Sequence, residues 1–207
     1  MSRTDSRQLA ALGFRVKSGW ATAVLLSGRI DAPIVRRADI VKLSDPKVPD
    51  SKQPYHDGMY VARKEGPQLK RLLAGVAVYA QRSLDALLST YVDAGYRLSG
   101  AGLVVGSNCD PGAITNPHIR VHAREGRLFR TVIEHALIRR GISASTFIER
   151  ALFADAARVL ERSQGQLERA VAQLRPAGAK RWRTEEKAAT LAAWLLLAPH
   201  LCRKSPA

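Results

Sequence analysis

Residues 12–28, LGFRVKSGWATAVLLSG, read as two strands and the turn between them. Phe14 and Val16 alternate with Arg15 and Lys17, the period of two that a strand with distinct faces requires. Ser18-Gly19 supplies a tight turn, Ala21 to Leu26 is a β-rich return, and Ser27-Gly28 breaks it. A third strand, PIVRRADIVKL, follows at 33–43. Three strands in direct succession imply an antiparallel meander. Upstream, residues 1–10 read as a flexible tail.

Downstream, 44–60 (SDPKVPDSKQPYHDGMY) is rich in Pro, Asp and Lys and forms a long loop, either a functional excursion or a merely disordered stretch. Tyr55-His56-Asp57 within it are placed to cover a site. Leu69, Leu72, Leu73, Val76, Tyr79, Ala80, Leu84, Leu87, Leu88 and Tyr91 have helical spacing, predicting a helix over 67–94 that Gly95 stops. RLSGAGLVVGS, 97–107, contains an apolar strand of the kind covered on both faces. NCDPGAIT is a turn, and a helix follows from Asn116 to Gly141. ISASTFIERAL carries a last strand or begins the next helix. Further helices are expected over 153–174 and, capped by Thr184, along TEEKAATLAAWLLL, with a break at 175–180 containing Pro176 and Gly178. The whole is one α/β domain over 11–200 with a mixed sheet, followed by a C-terminal tail at 201–207.

The helix NPHIRVHAREGRLFRTVIEHALIRR, 116–140, contains the polar anomaly. Asn116 is a good N-cap and Pro117 fits the first helical position. Val121, Leu128, Phe129, Val132, Ile133 and Ala136 fall on one side, and Arg120, Arg124, Arg127 and Arg130 on the other. His118, His122 and Glu125, spaced i, i+4, i+7, lie within the apolar stripe. Burying two imidazoles and a carboxylate for packing alone is costly unless each is satisfied. Sites in α/β sheets gather at strand C-terminal ends and the helix N-termini that follow, where Asp110 to His122 lie.

The composition, 46% hydrophobic and 25% charged, is that of a folded soluble protein. The net charge of +15 favours polyanions, meaning DNA, RNA or another anionic partner; the bland alternative is an arginine-rich composition inherited from a GC-rich genome. Cys109 and Cys202 are too few for a disulfide framework. MSRTDSRQLA lacks the apolar core of a secretory signal, and LAAWLLLA is far short of the roughly 20 residues that span a bilayer. The expectation is a cytoplasmic protein that does not enter membranes.

This order of elements resembles the ribonuclease H-like superfamily, particularly its Holliday-junction-resolvase-like branch. LGFRVKSGWATAVLL is similar to the opening hairpin and EEKAATLAAWLLL to the closing helix. The resemblance implies a mixed sheet in which a three-stranded meander precedes alternating helices and strands. It also implies a nuclease site of three or four carboxylates holding two divalent metals: an Asp on the opening strand, an acid on the fourth strand or a neighbouring helix, and an acid on the closing helix. At those places this chain has Arg15 and Lys17, then LVVGS with no acid before Asp110, then Glu185 and Glu186. A cation where a metal-binding carboxylate belongs reverses the local electrostatics, so a standard two-metal site is not expected. The related actin-like phosphotransferases hold phosphate with the same hairpin turn. That makes Lys17, Ser18 and Arg15 candidate anion-binding residues, although the chain is too short for their duplicated architecture.

His118, His122, Glu125 and Asp110 are the candidate catalytic and metal-ligating residues. Imidazoles four apart on a helix converge on one ion, for which Zn, Mn or Mg is the candidate, with Fe also suited to such ligands. The alternative is that both histidines are simply hydrogen-bonded to Asp110 and Glu125. Arg120, Arg124, Arg127 and Arg130, reinforced by Arg139 and Arg140, are candidate nucleic-acid contacts, as are Lys180, Arg181, Trp182 and Arg183; Trp182 is placed either to stack on a base or to pack against the final helix. Two functions follow: a nucleic-acid-binding protein without the two-metal set, or a metal-dependent hydrolase or phosphoester-cleaving nuclease.

Overall fold

Three strands open the chain: β1 (Gln8–Lys17), β2 (Trp20–Gly28) and β3 (Pro33–Lys42). All pairings among them are antiparallel, with Lys17 opposite Trp20 across a turn in which Gly19 has φ +81°. A Cβ at Gly19 would also strike Ser44 and Lys52, because the loop after β3 folds back over the turn and Leu43 and Ser44 donate to the Gly19 carbonyl. The computed structural model describes residues 7–58, 61–176, 178–179 and 182–198.

The remaining elements are α1 (Pro67–Asp93), β4 (Tyr96–Val105), α2 (Pro117–Arg139), β5 (Ala144–Ile148), α3 (Leu152–Val159), α4 (Gln164–Gln173) and α5 (Thr184–Leu195). The sheet order is β3-β2-β1-β4-β5, with β4 parallel to both β1 and β5. This is the mixed α/β sheet expected, and ISASTFIERAL supplies its last strand. Residues 8–10 belong to the sheet and not to a tail, because they pair with Tyr96, Arg97 and Leu98 of β4. That partner is nearly ninety positions away, so nothing local in the sequence announces it.

Both faces of β1 are covered, and its alternation divides them. Ala10, Leu12, Phe14 and Val16 pack with Val76, Leu84 and Tyr91 of α1 and with Phe129 and Ile133 of α2. Ala11 faces the opposite layer, where Leu152 of α3, Leu167 of α4 and Leu191 and Trp194 of α5 close a second core. α5 lies unusually close to the sheet: a Cβ at Gly13 would sit 1.7 Å from the Ala189 carbonyl, and one at Gly102 would sit 2.8 Å from that of Ala192. Two sheet glycines facing two helix alanines allow backbone to approach backbone.

Two helix boundaries differ from the sequence reading. Residues 153–174 form two helices, because Glu161 takes φ +51° and Ser163 restarts the chain with a capping box to Gln166. Thr184 is the first residue of α5; the N-cap is Arg183, whose N–H donates to the Glu186 carboxylate at 2.8 Å. Among the described residues no helix is long and apolar enough to cross a membrane.

Candidate functional site

The connection from β4 to α2 is locked by polar contacts. The Asn116 carboxamide accepts the N–H groups of His118 and Ile119 at 3.0 and 3.2 Å, capping α2 as its sequence requires. Arg120 reaches back to the carbonyls of Ile114 and Thr115. The first turns of α2 are thereby held at the C-terminal ends of β1 and β4. A pocket of about 300 Å³ lies there, lined among others by Arg15, Lys17, Ser18, Cys109, Ile119 and His122.

His122 also lines a second, adjoining cleft of about 620 Å³, shared with His56, Asp57, Arg63 and His118. His56 comes from the long loop, whose described residues are tied together by hydrogen bonds. The Arg63 guanidinium donates to the carbonyls of Pro54 and His56 and to Asp50, and backbone bonds join Asp57 to Val61 and Arg63 to Tyr55. The Nε2 atoms of His118 and His122 are 3.2 Å apart. One ring nitrogen from each of His56, His118 and His122 falls within 4.8 Å of the others. Beneath them Glu125 is fully buried, and its Oε1 is 2.8 Å from His56 Nδ1. Its Oε2 has no hydrogen-bond partner among the described residues, His122 Nδ1 being 3.9 Å away.

The electrostatics follow from this crowding. Burial pushes the Glu125 carboxyl above the usual carboxylate range, and the bond from His56 pulls it partly back. His122 is held below the ordinary imidazole value, first by burial and then by its two histidine neighbours. Three converging imidazoles and a carboxylate behind one of them form a set of ligands suited to a metal.

The set differs from the one expected. His118 and His122 are in it, Glu125 stands behind it, and Asp110 is outside. The Asp110 carboxylate accepts from the Gly112 N–H and pairs with Arg127 at 3.5 Å, work that a turn residue before Pro111 performs without any ligand. His56 is the residue that sequence reasoning left out of the cluster. Its one signal was a Tyr-His-Asp triplet in a loop long enough for a functional excursion.

The carboxylate set of the ribonuclease H-like nucleases does not fit this chain. Arg15, on the strand where the first acid belongs, is only 4% exposed and grips Glu149 with Nε and Nη2 while Nη1 donates to the Val16 and Val104 carbonyls. Its guanidinium is thus engaged by one carboxylate and two backbone carbonyls. Lys17 faces Glu185 of α5 at 3.8 Å. Glu149 and Glu185 each have a side-chain cation beside them, and Glu186 accepts from the Arg183 backbone N–H.

The arginine face of α2 is likewise engaged. Arg124 pairs with Glu65 at 2.7 Å and lies over the Tyr55 ring, and Arg130 bonds Asn108 and Glu134. With Arg120 and Arg127 they fasten the flanking loops to the helix. Of the four, Arg127 is the most open, its side chain 61% exposed. The partly buried Trp182 indole donates to the Val171 carbonyl at 2.8 Å and packs on the second core, tying the segment before α5 to α4. Lys180 and Arg181 lie outside the described residues.

The strand order and the layers define a ribonuclease H-like fold, in the arrangement of the RuvC-type Holliday junction resolvases. Thermus thermophilus RuvC in complex with a Holliday junction substrate has a TM-score of 0.52 to this chain at 11% identity, covering 90% of this chain and 91% of that one. A second structure of Thermus thermophilus RuvC matches with TM-score 0.52 at 9% identity, covering 90% and 92%. The yeast mitochondrial Holliday junction resolvase Ydc2 follows at TM-score 0.48 and 13% identity, covering 97% of this chain and 84% of that one. At the level of sequence no protein-family model matches, nor does any curated protein.

Proposed function

We propose that this protein binds nucleic acid on a ribonuclease H-like fold and does not cleave it by the two-metal route. The observation that carries the reading is the buried Arg15, held by Glu149, which puts a guanidinium on the strand where a metal-binding carboxylate would be needed. The net charge of +15 supports a polyanionic partner, as does the fold shared with a resolvase described in complex with a Holliday junction. Arg127, Arg139 and Arg183, all exposed, are the proposed phosphate contacts, with Lys180 and Arg181 added from the sequence.

Fluorescence anisotropy with labelled four-way junction, linear duplex and single-stranded DNA and RNA, at increasing salt, tests this. The expected result is affinity that falls linearly on a log–log plot against salt, with every strand intact after incubation with Mg²⁺ or Mn²⁺. Absence of binding at low salt, or strand cleavage that requires Mg²⁺, overturns it.

A second reading, a metal-dependent phosphoester hydrolase in the histidine cleft, is favoured by the convergence of His56, His118 and His122. The same substrates incubated with Zn²⁺ or Mn²⁺ separate it from the first, since cleavage abolished by His118→Ala would support the enzyme.

A further inference from the structure

We infer that His56, His118 and His122 bind one Zn²⁺ ion through three imidazole nitrogens, with Glu125 as the buried partner that orients His56. The inference concerns metal occupancy and stands whether or not the chain binds or cleaves nucleic acid.

The geometry of the helical pair comes first. Two nitrogens held at about 2.0–2.1 Å from a tetrahedral Zn²⁺ are separated by roughly 3.3–3.4 Å. The Nε2 atoms of His118 and His122 face each other at 3.2 Å, so the helix already presents two ligands at that spacing. The third nitrogen lies within 4.8 Å of the others. Bringing it to the same separation requires a movement of at most about 1.5 Å.

The roles of the two His56 nitrogens are assigned by Glu125. Nδ1 is 2.8 Å from the Glu125 carboxylate, which leaves Nε2 free to face the other two rings. A ligating histidine whose second nitrogen is held by a carboxylate is the recurrent way to set its tautomer and raise its basicity. The carboxylate has been placed in a fully buried position with its Oε2 unbonded among the described residues, an arrangement that packing does not require. A cation bound on the far side of His56 gives that buried charge an electrostatic partner.

The donor set selects the metal. Three neutral imidazoles and no direct carboxylate suit Zn²⁺ and disfavour Mg²⁺ or Ca²⁺, which take oxygen ligands. With three protein ligands at the edge of an open cleft, the fourth position remains for water or a ligand. The site would also join two parts of the chain, the loop carrying His56 and the first turns of α2.

Chelator-stripped, tag-free protein is titrated with Zn²⁺ in competition with a chromogenic chelator, and Co²⁺ is used to read coordination by its visible absorption. One ion per chain is expected, with at least tenfold weaker binding in each of His56→Ala, His118→Ala and His122→Ala. Glu125→Gln should keep the stoichiometry and weaken binding about 10–100-fold. Circular dichroism and melting of every metal-free variant separate loss of the site from loss of the fold. As a measurement on the unaltered chain, Zn²⁺ should slow proteolytic nicking of the loop around His56, with Mg²⁺ giving no protection. Zn²⁺ affinity equal in wild type and in the folded triple-alanine variant overturns the inference, as does a wild-type loop whose proteolysis Zn²⁺ leaves unchanged.

Discussion

Glu125 of α2 and His56 of the β3–α1 loop, 69 positions apart in sequence, meet at 2.8 Å with the carboxylate wholly excluded from solvent. A buried carboxylate is unfavourable unless satisfied, and here a loop histidine meets one of its two oxygens while Oε2 has no hydrogen-bond partner among the described residues. The loop is therefore coupled energetically to the helix.

His56→Ala should lower stability by roughly 1–3 kcal/mol in urea denaturation, because it strands a buried acceptor. Adding Glu125→Met to the same chain should recover most of the loss, since the acceptor itself is then gone. If the double variant is no more stable than the single one, the coupling is not electrostatic.

At the Arg15–Glu149 pair the two partners are unequally exposed, 4% against 40%. Arg15→Met keeps the apolar stem and leaves a carboxylate that water can reach. Glu149→Ala leaves a guanidinium buried with only the Val16 and Val104 carbonyls to accept from it. Denaturation should therefore show the larger loss for Glu149→Ala, by about 1–2 kcal/mol beyond that of Arg15→Met.

Gly13→Ala would drive a methyl group into the Ala189 carbonyl, so α5 cannot dock without moving. A loss of more than about 3 kcal/mol, or failure to fold, is expected from such overpacking at backbone. Gly75→Ala, mid-helix in α1 with nothing within 4 Å, should instead stabilise by about 0.5–1 kcal/mol in parallel thermal melts.

Tyr91 is buried and donates to Asp39 at 2.9 Å; burial, then the Asp39 charge, pushes its phenol above the ordinary value. Above a pH of about 10 the unfolded chain releases this proton while the folded chain keeps it, so the unfolded state binds fewer protons and stability falls as pH rises. Below that the contribution is fully present. Tyr91→Phe should cost about 1 kcal/mol at neutral pH for the lost hydrogen bond, and its stability should fall less steeply than wild type above pH 10.

The meander, the long helices and the polar face of α2 were legible because each is encoded by local periodicity: two residues for Phe14 and Val16, near four for His118, His122 and Glu125. Asn116-Pro117 announced its own cap for the same reason, since a cap bonds only to neighbours. Two of the three clustered histidines were thus visible in one helix.

His56 was not, and neither was the fate of the cations. Which loop residue lies over α2 depends on the path of 43–66 and on Arg63 pinning it, and Arg63 acts through carbonyls that carry no side-chain signature. The four arginines of α2 formed a plain basic stripe in the sequence; only folding supplied Glu65, Asp110 and Asn108 as their partners.

What the sequence determined by itself was the opening meander, the long helices, their order and the absence of an acid on β1, because these depend on residue type and short-range spacing. What the tertiary structure alone decided was which charges neutralise one another and which three imidazoles share a cleft. Those outcomes depend on distances between segments remote along the chain, and Coulomb and hydrogen-bond energies are set by distance and burial rather than by sequence separation.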